Sequence, residues 1–259
     1  MRAVIFAGPS LPPSVRPDDP RFDWRAPARQ CDVYRAALER PDVIGLIDGY
    51  FDAVPSVWHK EILWAMAQGI RVYGAASIGA LRAAELADFG MIGVGRIFEM
   101  FRDGVLTDDD EVALLHGPAE AGYVQLSVPM VNVRATLDAA TDDGVIGEPV
   151  AKAFAQVAKS TFYKERTWKS VVRRVPGGED SAESVARFKA WLGHGYVDRK
   201  RADASYLLSV VGQESYLQRH PIGRPYSLSR SDCWERAASR LAGQPSLTII
   251  AKPAHHALP

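Results

Sequence analysis

Three short apolar runs, each leading toward a stretch of helical periodicity, constrain this chain more than any other feature. Residues 3–7, 43–47 and 70–75 read as strands, and residues 31–39, 56–68 and 78–87 read as helices between and after them. Short apolar strands separated by helices imply parallel pairing in a sheet covered on both faces. In such sheets, sites form beyond the carboxyl ends of the strands. Gly8-Pro9-Ser10, Asp48-Gly49 and Ser77 each follow a strand directly, so they are expected to converge on one edge.

The expected fold class is therefore α/β, with a Rossmann-like parallel sheet core in the N-terminal half followed by a mostly helical C-terminal region. Residues 8–27 contain six prolines and cannot be helical throughout, so an extended flap over the strand ends or a surface excursion is expected. After Gly90, apolar residues recur at helical spacing over 95–101, 131–140, 150–164, 181–192 and 200–217. Residues 111–115 read as a further strand. The segment 219–259 is polar and proline-punctuated, with a helix expected at 232–241 and an edge strand at 246–251. The division this suggests is a core at 1–168, a helical extension at 169–218 and a variable tail at 219–259.

The chemistry centres on Gly74-Ala75-Ala76-Ser77-Ile78-Gly79-Ala80, where a strand passes through small residues into an Ala/Leu-rich helix. Small neighbours permit a tight strand-to-helix turn, and the unpaired N–H groups at a helix start, here those of Ile78 and Gly79, suit a developing oxyanion. Ser77 can be a nucleophile or an ordinary N-cap. A serine hydroxyl needs a base, and the preceding helix offers His59 and Lys60. Successive helical residues point about 100° apart, so one of the two faces the serine. The apolar stripe of Trp58, Ile62, Leu63 and Met66 favours His59 as the inward residue, with Lys60 on its flank. Asp48-Gly49 reads either as part of the same pocket or as a turn, and Gly8-Pro9-Ser10 as an anion-binding nest or a loop. The run Asp108-Asp109-Asp110-Glu111 reads better as a solvated turn than as a metal site, since consecutive carboxylates do not converge on one ion unaided. His116 lies within reach of the strand ends, although a lone histidine before a turn is usually structural. Lys164, Arg166, Lys169, Arg173 and Arg174 form a basic stretch suited to an acidic partner or simply to solvent.

Lys and Arg together number 31, as do Asp and Glu, which gives no general affinity for nucleic acid or anionic membrane. Cys31 and Cys233 form no CxxC pair, so neither a disulfide scaffold nor a thiolate metal site is expected, and a reducing compartment is. The first residues are too quickly broken by proline for a signal peptide, and no apolar run is long enough for a bilayer. A soluble, cytoplasmic protein is the expectation. Neither GxGxxG nor GxxxxGK[ST] occurs, which disfavours a nucleotide-binding reading.

Several of these motifs recur in one order that resembles the TfuA-like family: Gly8-Pro9-Ser10-Leu11, Leu46-Ile47-Asp48-Gly49-Tyr50-Phe51, Val54-Pro55-Ser56-Val57-Trp58-His59-Lys60-Glu61, the Ser77 segment, and Asp108-Asp109-Asp110-Glu111. The likeness covers roughly residues 1–168. It implies a role in peptide backbone thioamidation as partner of a YcaO enzyme, which acts on the precursor peptide. It further implies hydrolysis of a ubiquitin-like, thiocarboxylated ThiS-type sulfur carrier through a Ser–Lys pair, with Ser77 and Lys60 at the matching positions. No cofactor or metal is implied. The rival reading is a non-catalytic accessory that binds YcaO.

Overall fold

The computed structural model describes residues 1–52, 54–175, 179–213 and 234; the elements expected at 232–241 and 246–251, and Cys233, lie outside the described residues. The described strands are β1 (Ala3–Phe6), β2 (Phe22–Arg25), β3 (Val43–Leu46), β4 (Arg71–Gly74) and β5 (Ile92–Gly93). They form one sheet in the order β2-β1-β3-β4-β5, and every pairing is parallel. The helices are α1 (Asp32–Leu38), α2 (His59–Ala67), α3 (Ile78–Leu86), α4 (Arg96–Arg102), α5 (Met130–Asp142), α6 (Glu148–Ser160), α7 (Trp168–Arg174), α8 (Glu179–Gly195) and α9 (Arg199–Gln213). Among these, none is long and apolar enough to cross a membrane.

Period-two alternation divides the strands between two cores. Val4, Phe6, Ile44, Leu46 and Val72 face α1 to α4. Ala3, Ile5, Val43 and Tyr73 face the other way, against Ala204, Leu207, Leu208 and Val211 of α9. Gly45 makes this second packing possible: a Cβ there would lie 2.6 Å from Ile5 and 3.3 Å from Leu207. A third cluster, centred on Leu137, Phe154, Val171 and Phe188, holds α5 to α8 together.

Two expectations change. Residues 8–27 do not form only a flap, because the proline-free Phe22–Arg25 between Pro20 and Pro27 pairs with β1 as an edge strand. An edge strand needs partners on one side only, which a proline-rich neighbourhood permits. The β1–β2 connection thus holds a short 3-10 turn at Pro13–Val15 and no α-helix, and α9 from far along the chain covers that face of the sheet. Residues 111–115 are likewise not a strand; Asp109–Glu111 forms a 3-10 turn, and a single antiparallel bridge joins His116 to Gln125. The described residues through Gln213 belong to one compact unit.

Candidate active site

The order β2-β1-β3-β4 reverses direction between β1 and β3, and a cleft opens beyond the carboxyl ends of strands at such a switch point. The segments after β1, β3 and β4 meet there, as the alternation of elements predicts. They share a cavity of about 210 Å³ whose lining includes Pro9, Asp48, Gly49, Ser77, Val112, His116 and Lys200.

Ser77 occupies the N-cap position of α3, yet its side chain makes no capping hydrogen bond. The turn before it is tight. Ala76 has φ +65°, a left-handed conformation uncommon for a residue with a Cβ, and the Ser77 N–H donates to Ala75 O at 2.7 Å. Gly79 lets α3 begin against the sheet, since a Cβ there would stand 1.8 Å from Leu46 O.

The group that meets Ser77 is Lys200, in the first turn of α9. Its Nζ lies 3.0 Å from Ser77 Oγ, donates to Val112 O at 2.7 Å and stands 4.0 Å from Asp48 Oδ1. Both side chains are sealed from solvent: Ser77 is 2% exposed and Lys200 1%. Burial lowers the Lys200 pKa from its ordinary value, against an upward pull from Asp48 and Asp198. Asp48 is itself fixed, accepting the Gly8 and Ser10 N–H groups at 2.8 and 2.9 Å and the Ser10 hydroxyl at 2.6 Å.

Lys60 is not the lysine beside Ser77. It shares a side of α2 with Trp64 one turn on, and Trp64 packs on Tyr34 of α1 with ring centroids 4.6 Å apart. His59 does point toward α3, but its Nε2 meets Glu85 Oε2 at 2.8 Å on an exposed surface rather than Ser77. Arg82 joins the same group, donating to Glu85 at 2.6 Å and to Val57 O at 3.1 Å. His59 falls on the expected buried stripe only if residues 56–68 form one helix. α2 starts only at His59, and its buried side is formed by Glu61, Ile62, Ala65 and Met66.

The backbone groups expected at the pocket divide into two sets. The Gly8 and Ser10 N–H groups are spent on Asp48, and the Gly79 N–H donates to Ile47 O at 3.3 Å. Ile78 and Gly49 have N–H groups without a hydrogen-bond partner among the described residues, and the two residues approach closely: a Cβ on Gly49 would lie 2.7 Å from the Ile78 side chain. At the rim, Tyr163 donates to Asp52 at 3.2 Å and Lys164 pairs with the same carboxylate.

The acidic run is a turn, exposed at Asp108 and Asp109 and tied down by ion pairs. Asp108, Asp110 and Glu111 converge on the Lys159 ammonium, Glu111 forms a two-pronged pair with Arg134, and Asp110 pairs with buried Arg166. These carboxylates lie close enough together to hold an ion, but a cation of the chain already sits among them. The same contacts dismantle the basic stretch as a continuous face, since Arg166 points inward and Lys164 serves the rim.

Sheet, cleft and buried serine–lysine pair together define an α/β protein with a serine-centred site at its switch point. Residues 48–167 match the model of the family described as TfuA-like protein, so that stretch of the chain is similar to TfuA-like proteins. No curated protein matches the chain. The match supports the general role implied by the motifs, an accessory of a YcaO enzyme in thioamidation. Asp48 and Ser77 fall inside the matched stretch, whereas Lys200 falls outside it.

Sequence reasoning missed Lys200 because Asp198-Arg199-Lys200-Arg201 reads as a solvated, charged helix start. A signal existed in the register. Lys200 lies on the stripe of Ala204, Leu207 and Val211, the buried side of α9, where a lysine calls for a partner.

Proposed function

We propose that this protein hydrolyses a thiocarboxylated, ubiquitin-like sulfur carrier and supplies the released sulfide to a YcaO enzyme that thioamidates its precursor peptide, aiding engagement of that peptide as well. The observation that carries this reading is the hydrogen bond between Lys200 Nζ and Ser77 Oγ in a buried cleft.

As a neutral amine, Lys200 keeps one N–H on Val112 O, an acceptor only, and turns its lone pair to the Ser77 hydroxyl. Desolvation favours that neutral form. Lys200 takes the hydroxyl proton as Oγ bonds to the thiocarboxylate carbon. The Ile78 and Gly49 N–H groups receive the developing oxyanion. The C–S bond then breaks, the proton passes to the departing sulfur, and hydrosulfide leaves an acyl-Ser77 ester that water cleaves. The cavity is too small for a folded domain, which fits an acyl group presented on an extended tail.

The test is sulfide release from a thiocarboxylated carrier by Ser77→Ala. Because the side chain makes no cap bond, the variant keeps the fold and loses release. Wild-type release by Ser77→Ala would remove the nucleophile and leave the non-catalytic accessory.

A further inference from the structure

We infer that His116 is a second proton-transfer residue of this cleft, the base for the water that cleaves the acyl-Ser77 ester; the inference rests on the serine–lysine reading above. His116 lines the same cavity as Ser77 and Lys200. Its Nδ1 lies 2.7 Å from Gly117 O. A carbonyl only accepts, so Nδ1 carries the proton and Nε2 keeps its lone pair. Among the described residues, Nε2 has no hydrogen-bond partner.

The imidazole is also held in place. Tyr50 and Tyr123 flank it with ring centroids 6.0 and 5.7 Å away. A single antiparallel bridge joins His116 to Gln125, the Gly117 N–H donates to Val124 O at 2.8 Å, and Gln125 donates to Pro9 O at 3.0 Å, tying the histidine to the loop that fixes Asp48. Around it the ionisable groups are these two tyrosines, Asp52, Tyr163 and Lys164 at the rim, and Asp48 and Lys200 on the floor. Burial raises both flanking phenols above their ordinary pKa, so they stay neutral beside the imidazole.

Burial separates the two bases. Lys200 is closed off from solvent, whereas His116 is half-buried where it lines the cavity. In the second step a water oxygen bonds to the ester carbon as His116 Nε2 takes its proton. The bond from that carbon to Oγ breaks, and Oγ recovers a proton from the imidazolium, directly or through Lys200. The carboxylic acid formed gives its proton to solvent.

The experiment compares wild type, His116→Gln and His116→Ala with thiocarboxylated carrier, following sulfide in time and the protein by mass. The expected result for His116→Gln is a first equivalent of sulfide at the wild-type rate, then turnover slowed by about 100-fold, with an acyl adduct on Ser77. Added imidazole should restore turnover to His116→Ala. Unchanged turnover without adduct, or equal slowing of the first equivalent, overturns the role of His116. If Ser77→Ala is inactive in the same assay, such a result leaves the serine reading standing; if wild type releases no sulfide, it is the serine reading that fails.

Discussion

Lys200 is an expensive residue to place at 1% exposure, because an ammonium there loses its hydration for one carbonyl, one hydroxyl and a carboxylate 4.0 Å away. Its pKa is lowered by that burial from 10.5, which has two consequences of known sign. Sulfide release should rise with pH through the lowered value, as the amine becomes able to accept a proton. Lys200→Arg should be as inactive as Lys200→Met, since a guanidinium does not give up its proton. Between the lowered pKa and 10.5 the folded chain binds fewer protons than the unfolded one, so stability should climb with pH across that window. Denaturant midpoints of wild type and Lys200→Met from about pH 7 to 10 check this. The wild-type slope should be steeper, and equal slopes would mean that the amine is not desolvated.

α9 does two jobs, closing one face of the sheet and delivering Lys200. Its first turn is set by Asn132, which is fully buried in α5; Asn132 accepts the Lys200 N–H at 3.2 Å and donates to Tyr196 at 2.7 Å and Asp198 at 3.0 Å. Asp203 accepts the Ile97 N–H at 2.7 Å at the start of α4, locking the two helices together. Leu207 is fully buried on the same stripe as Lys200, whereas Tyr206 is 57% exposed. Leu207→Ala should cost about 2–5 kcal/mol, and Tyr206→Ala well under that, both read from denaturant midpoints. Equal costs would contradict the packing of α9 on the sheet.

The parallel core was legible because strand and helix periods alternate cleanly through residue 87, and the convergence of Asp48, Gly49 and Ser77 follows from it. Two things were not legible. β2 hides among prolines that argue for loop, and its pairing is decided by an edge position that no local pattern announces. The motif order points to a lysine one element before Ser77, but the lysine that meets Ser77 comes 123 residues later in the chain. Long-range pairs of this kind are set by which helix covers which face, a property of the whole packing.

At the level of the complete chain, the proposed account separates chemistry from partner engagement. Ser77→Ala should still bind the YcaO enzyme, and added sulfide should restore thioamide formation; failure to bind would mean that the cleft is part of the docking surface. In the proposed chemistry, a helix outside the residues that match the TfuA-like model supplies the base to a serine inside them. Sulfide release from thiocarboxylated carrier by Lys200→Met and Lys60→Met, measured side by side on folded protein, tests that most directly. The account predicts loss of at least about 100-fold for Lys200→Met and a near wild-type rate for Lys60→Met. The opposite order would contradict it, returning the base to α2 and leaving Lys200 as a buried strut between α9 and the sheet.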